Sequence, residues 1–159
     1  MDNDKNKKKV LITGFSRGIG AAITKEFLKH NFVVYGIART KSKEALNLIK
    51  KHSKEIKPYF LDLGKKKELE AFLKEVKGIE FDVVVNNAGI FELENFKKFD
   101  FKIWSRTLNV NLNAALITSI QLREQIKKGG SIINIASTDG MIGSFSSMAY
   151  SASKAALIN

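Results

Sequence analysis

VLITGFSRGIGAAITKEF, residues 10–27, changes its period halfway along. Val10–Thr13 is a brief apolar run of strand type, and Ile19–His30 reads as a helix with Ile23, Phe27 and Leu28 on one face. TGFSRGIG, Thr13 to Gly20, joins them. Its glycines at 14, 18 and 20 allow a tight turn, close approach of a pyrophosphate and close packing of helix on strand. The helix N-terminus behind them offers unpaired N–H groups to phosphates. The spacing G-x-x-x-G-x-G departs from the commoner G-x-G-x-x-G. Position carries the reading: a strand before, a helix after, and the first unit of the chain.

The same alternation continues outward. Asn31 stands where a left-handed helix end is wanted. Strands are expected at Phe32–Ala38, Pro58–Leu63, Phe81–Asn86 and Ser131–Ala136. Helices are expected at Ser42–Ser53 (stripe Ala45, Leu46, Ile49), at Lys66–Lys77 ended by Gly78, and over a long tract from Lys102 to Lys127 ended by Gly129-Gly130. A Gly- and Ser-rich loop spans Ser137–Ser147, and Met148 opens a last helix. Apolar strands separated by helices predict an α/β fold. It is Rossmann-like, a doubly wound parallel sheet with helices on both faces. Residues 1–159 read as one such domain, with a charged tail over 1–8. Ligands then belong at the carboxyl ends of the strands, after Thr13, Ala38, Leu61, Asn86 and Ala136.

Composition narrows the class. The chain has no cysteine, which excludes disulfides, thiolate metal sites and thiol catalysis. His30 and His52 sit far apart in lysine-rich, helix-like surroundings, so no metal site is expected. No apolar run has the length of a membrane span, and MDNDKNKKKV lacks the apolar core of a secretion signal, so a cytoplasmic location is expected. The net charge of +11 raises the question of nucleic acid, but only four arginines stand against 23 lysines, and these are scattered over several helices. Solvated helix faces are the expectation, with no nucleic-acid role. Lys65, Lys66 and Lys67 crowd a helix start, where the dipole disfavours cations.

Other residues on the same sheet edge bear on binding. GIART, Gly36 to Thr40, ends the second strand without the acid that would hold the ribose hydroxyls of NAD. Arg39, with Arg17 on the same side, can take a 2′-phosphate instead, which favours NADP over NAD. Asp62 and Leu63 stand where an adenine ring would lie. NNAG, Asn86 to Gly89, lets a cofactor pass close to the backbone. Asn111 is polar within an otherwise apolar helical stretch, free to back-bond, face solvent or hold a water. Tyr150 and Lys154 lie one helical turn apart. With three tyrosines and 23 lysines in 159 residues, roughly 0.4 such pairs arise by chance, so the spacing alone carries little.

Taken in order, TGFSRGIG, Asp62-Leu63, NNAG, Asn111 in NVNL, Ser137 and YSASK make the chain resemble the short-chain dehydrogenase/reductase family, in particular its 3-oxoacyl-carrier-protein-reductase-like members. The resemblance runs from Val10 to the last residue. It implies NADP(H)-dependent hydride transfer between the cofactor and a carbonyl or secondary alcohol. Tyr150 is then the general acid/base, Lys154 its cationic neighbour and ribose ligand, Ser137 the hydrogen-bond donor to the substrate oxygen, and Asn111 the holder of a relay water. Gly14, Ser16, Arg17, Gly18, Ile19, Gly20, Arg39, Asp62, Leu63, Asn87, Ala88 and Gly89 join Tyr150 and Lys154 as cofactor contacts. The resemblance also implies a homodimer or homotetramer.

Members of that family continue well past the final helix, with further strands and the segments that cover nicotinamide and substrate. The expectation is therefore an incomplete chain, with SIINIAS left as an apolar edge. A short form that binds nucleotide without catalysis, or one completed by a partner, are the alternatives.

Overall fold

The computed structural model describes residues 7–95 and 97–159, so most of the charged tail expected over 1–8 lies outside the described residues. Five parallel strands form one sheet: β1 (Lys9–Thr13), β2 (Val33–Ala38), β3 (Ile56–Phe60), β4 (Phe81–Asn86) and β5 (Ile126–Asn134), in the order β3-β2-β1-β4-β5. β1 is central, with Val10 opposite Val34 of β2 on one side and opposite Val83 of β4 on the other. The chain winds outward through β2 and β3, returns across the sheet, and winds the other way through β4 and β5. A crevice follows at the reversal, between the ends of β1 and β4.

Strand side chains alternate between two cores, because successive residues point to opposite faces. Val10, Ile12 and Val34 pack with Ile23 and Phe27 of α1 (Gly18–Lys29) and Leu48 of α2 (Lys43–Lys51). Leu11, Ile37 and Val84 pack with Leu69 and Phe72 of α3 (Lys66–Glu75) and Ala114 and Leu122 of α5 (Ala114–Leu122). Burial on both faces explains why β1, β2 and β4 read as continuous apolar runs, whereas the edge strand β5 leaves Ile132 and Ile133 exposed.

Local signals set the helix ends. Asn31 turns the chain out of α1 with φ 61°, and Gly78 does so after α3 with φ 85°. Ser42, expected as the first helical residue of α2, caps it: its hydroxyl accepts from the Ala45 amide at 3.2 Å. Two of the three lysines crowding the start of α3 are paired with acids one turn on, Lys65 with Glu68 at 2.8 Å and Lys66 with Glu70 at 3.7 Å. Glu68 also accepts from the Asp62 amide at 2.7 Å, tying the loop after β3 to α3.

Several boundaries differ from the sequence expectation, among them β5, which starts at Ile126 rather than Ser131, and the loop expected over Ser137–Ser147, which holds a short helix. β3 starts at Ile56, ahead of Pro58, because it is the edge strand and tolerates a proline with no N–H to give. The long helical tract ends earlier than Lys127. It consists of α4 (Phe101–Leu108), a π-helical turn (Asn109–Asn113), α5 and a 3₁₀ turn (Arg123–Gln125). Gly129 and Gly130 therefore lie within β5, where the register slips between Phe81↔Ile126 and Val83↔Ser131. A Cβ on Gly130 would sit 2.7 Å from the Asp82 carbonyl oxygen, so glycine permits the approach of β5 to β4. A short helix α6 (Asp139–Ile142) then precedes α7 (Met148–Ile158).

Across the crevice, the Thr13 hydroxyl accepts from the amides of Asn87 (3.0 Å) and Ala88 (2.9 Å). Thr13→Val keeps the shape of the side chain and strands the Ala88 amide, while the Asn87 amide keeps Val85 O at 3.2 Å. The expected loss is about 1–3 kcal/mol in urea unfolding, whereas Thr13→Ser stays within about 1 kcal/mol of the parent.

Candidate active site

The carboxyl ends of β1, β2 and β4 open into a cavity of about 450 Å³. Its floor is the glycine turn, folded back onto β2 by the amides of Gly14 (2.7 Å) and Phe15 (3.2 Å), which both donate to Ile37 O. Gly14 has φ 71° and Gly18 φ 52°, a region that L-residues avoid. A Cβ on Gly20 would lie 2.0 Å from Gly14 O and 2.5 Å from Asn87 Nδ2, so strand and helix touch there backbone to backbone. Gly18 is the opposite case, with nothing within 4 Å of its would-be Cβ. Its open side faces the start of α1, where Arg17 gives no side-chain cap and the first turn has no acid. Unpaired N–H groups beside free space suit a pyrophosphate.

Ser16, Arg17 and Ile19 line the cavity from this turn, and Ile19 is 63% exposed. Phe15 turns the other way, into the core, where a Cβ on Gly36 would meet its ring at 2.6 Å. Arg39, Thr40, Ser42 and Glu44 form a second wall. Sequence reasoning passed over Glu44, which lies in the first turn of α2. Its own backbone amide and the Ser42 hydroxyl hold its carboxyl below the ordinary range. Asp62 and Leu63 form a third wall, with Asp62 Oδ1 accepting from the Gly64 amide at 2.9 Å. Asn87, Ala88 and Gly89 close the fourth, and Asn87 Nδ2 donates to the carbonyls of Thr13 (2.9 Å) and Gly14 (3.2 Å). All twelve cofactor contacts expected outside α7 therefore lie around one cavity.

Gly89 leads from this cavity to the remaining residues. A Cβ there would be 3.6 Å from Asn111 Oδ1 and 3.8 Å from Lys154 Nζ, which places those two polar atoms around one point. Asn111 sits in the π-helical turn and is 1% exposed. Its amide donates to Ile90 O (2.9 Å) and Ser153 Oγ (3.1 Å), and its oxygen accepts from Ile90 N (2.8 Å). Ser153 in turn donates to Tyr150 O at 2.7 Å, linking Asn111 to the first turn of α7. Lys154 is 4% exposed, donates to Ile135 O at 2.5 Å, and lies 5.7 Å over the Tyr150 ring. Burial holds its amine below the ordinary lysine value.

Ser137 follows the end of β5 on the loop into α6, half-buried, its oxygen accepting from the Asp139 amide at 3.2 Å and its proton left to donate. Gly140, which the sequence did not single out, lets α6 press against α7. A Cβ on it would sit 2.7 Å from the Lys154 carbonyl carbon. Phe91, from the loop after β4, packs edge-on against Tyr150 with ring centroids 5.3 Å apart. Among the described residues no cluster of three or more His, Cys, Asp or Glu has the spacing of a metal site, and no helix is long and apolar enough to cross a membrane.

A doubly wound parallel sheet with a glycine-lined cavity at its switch point defines a Rossmann-type nucleotide-binding fold. The sequence profile described as "short chain dehydrogenase" matches residues 8–159, and the chain belongs to that family. It is 34% identical to the 2-dehydro-3-deoxy-D-gluconate 5-dehydrogenase of Bacillus subtilis, over 94% of this chain and 61% of that protein. It is also 34% identical to a 3-oxoacyl-acyl-carrier-protein reductase of Chlamydia muridarum, over 95% of this chain and 64% of that protein. The solved structure of 4-hydroxyisoleucine dehydrogenase complexed with NADH superposes with a TM-score of 0.86 at 28% identity, covering 96% of this chain and 64% of that one. BdcA in complex with NADPH gives 0.85 at 28% identity, covering 94% and 60%. The chain thus spans about 60% of the length of the relatives it matches.

Lys154→Met tests the burial of the amine. A base whose folded-state pKa is lowered destabilises the fold while it stays protonated. That penalty fades as pH rises from the folded value towards the unfolded one, near 10.5. The variant is expected to be more stable than the parent by about 1 kcal/mol at pH 7. The difference should narrow in melts taken at rising alkaline pH.

Proposed function

We propose that this chain carries the cofactor site and proton-transfer centre of an NADP(H)-preferring oxidoreductase acting on a carbonyl or secondary alcohol of a small molecule. The observation that carries the reading is the meeting of Lys154 Nζ and Asn111 Oδ1 beside Gly89, at the end of the cavity that begins at the uncapped start of α1. The glycine turn would hold the pyrophosphate, Asp62 and Leu63 the adenine, and Asn87 to Gly89 the path to the nicotinamide. Bound there, the nicotinamide supplies or accepts hydride.

Tyr150 would give a proton to the carbonyl oxygen in reduction and take it back in oxidation. Lys154, held over the Tyr150 ring and beside Gly89, would stabilise the phenolate and bind ribose hydroxyls. Ser137, whose proton is uncommitted, would donate to the substrate oxygen. Asn111 has committed both amide hydrogens and one lone pair to protein groups. The lone pair left on Oδ1 and its main-chain carbonyl would hold the water that passes protons to Lys154.

Arg17 and Arg39 line the same cavity and support a 2′-phosphate, and hence NADP(H). Glu44 on that wall opposes it, and the two neighbours described above were solved with NADH and with NADPH. Phe91 lies beside the Tyr150 ring, and Met141 and Ile142 of α6 and Phe145 after it are exposed apolar side chains between β5 and α7. They favour an uncharged reacting end. Phe101, Leu116 and Ile120, exposed on α4 and α5, support assembly into a homodimer or homotetramer. We place the activity in the cytoplasm.

Tyr150→Phe in the whole protein should cut turnover about 10²–10⁴-fold while NADPH still binds by fluorescence titration. Turnover that survives the change sinks the assignment. Arg39→Ala should weaken NADPH about tenfold, the size of one charge-assisted hydrogen bond, and leave NADH unmoved. An equal loss for both cofactors removes the NADP preference.

A further inference from the structure

α7 carries Tyr150 at its third position, yet its own start is poorly held. Ser147, the residue before it, gives no side-chain cap. A helix start leaves amides without partners, and a cap must come from somewhere. Here it comes from 55 residues away: Glu94 Oε2 accepts from the Ala149 amide at 2.6 Å. The Glu94 amide donates to Ser146 O at 2.8 Å, so backbone and side chain of one residue grip both sides of the turn into α7. The other carboxylate oxygen, Oε1, is buried without a hydrogen-bond partner. A half-satisfied buried carboxylate costs stability and is the kind of feature that function retains.

Glu94 ends a segment fixed at almost every residue. Ile90 is bound at both its N–H and its carbonyl by Asn111. Phe91 packs edge-on against the Tyr150 ring. Glu92 pairs with Arg106 of α4 at 3.3 Å. The segment therefore leaves β4 at the cofactor cavity and arrives at the helix start that presents Tyr150.

We propose that Glu94 is a positioning residue for the proton-transfer centre: as an N-cap supplied by the loop after β4, it sets the orientation of the first turn of α7 and holds the Tyr150 ring against Phe91. This rests on the reading of Tyr150 as the acid/base. Loss of the cap leaves Lys154, one turn deeper and fixed by Ile135, in place, and frees the turn that carries the phenol.

The test needs no substrate. The whole protein is labelled with ring-¹³C tyrosine, and the signal of Tyr150 is distinguished from those of all other tyrosines, Tyr35 and Tyr59 among them, by its absence in Tyr150→Phe. Amide exchange is followed at Ala149 and Tyr150. Glu94→Ala is expected to shift or broaden the Tyr150 signal alone and to speed exchange at Ala149 tenfold or more, with the amides of 14–20 unchanged. Glu94→Gln, which keeps an acceptor of the same length, should restore both readouts to within threefold of the parent. If Glu94→Ala unfolds the protein, Glu94→Asp, one methylene short, is expected to show the same two changes. An unmoved Tyr150 signal and unchanged exchange at Ala149 overturn the proposal, as does a Glu94→Gln variant that behaves like Glu94→Ala. Turnover that survives Tyr150→Phe would remove the catalytic reading and leave the capping result standing, so the two fail separately.

Discussion

At the glycine turn, helix and strand meet so closely that no room is left for a carbon atom. Gly20 at the start of α1 lies so near Gly14 O and Asn87 Nδ2 that any Cβ would overlap both. The first helix can therefore begin directly against the end of β1, its amides aimed across the crevice. Thr13 and Asn87 join the other side: the threonine hydroxyl takes the amides of Asn87 and Ala88, and the asparagine amide takes the carbonyls of Thr13 and Gly14. β1 and β4 are neighbours in the sheet but distant in sequence, and this joint fixes how their loops diverge. The cavity is the space left by that divergence.

A second constraint governs the far end. Lys154 is almost completely buried, and burial works against its charge. The small buried residues around it on α7, Ala149, Ser151 and Ser153, allow the close packing that encloses it. The π-helical turn turns Asn111 inward, where it binds Ile90 on one side and Ser153 on the other. Such turns are rare, carry weaker geometry than α-helix, and recur at functional sites. Here the turn joins the loop after β4 to α7, so stability given up along one helix becomes rigidity between two loops.

Local chemistry made much of this legible in the sequence. Apolar runs with turns between them mark strands wherever both faces are buried, and Asn31, Gly78, Ser42 and the glycine turn each answer a demand of their own backbone. Contacts between distant segments were not legible. Pro58 argued for a later strand start because the sequence does not say that β3 lies at an edge. Gly129-Gly130 looked like a helix terminator because a register slip against β4 depends on Asp82 and Ile126. The π-helical turn left no signal beyond three asparagines at alternate positions, 109, 111 and 113, in a helical tract. Glu94 and Gly140 belong to the same group, since each matters through a partner that only folding brings near.

The same division separates reaction from substrate. The polar atoms of the proposed reacting centre stand on elements held from two or more sides: α7 by Asn111, Glu94 and α6, and the glycine turn by β2 and Asn87. Their spacing can persist while the rest of the sequence drifts, because moving any one of them disturbs several buried bonds. Met141 and Ile142 of α6 and Phe145 on the loop after it are 78%, 82% and 84% exposed. A change there costs little in folding, so a surface proposed to meet a substrate can vary while the proposed chemistry stays. Family membership therefore speaks to the bond that is made or broken, and the shape of the molecule that carries that bond has to be read from the loops.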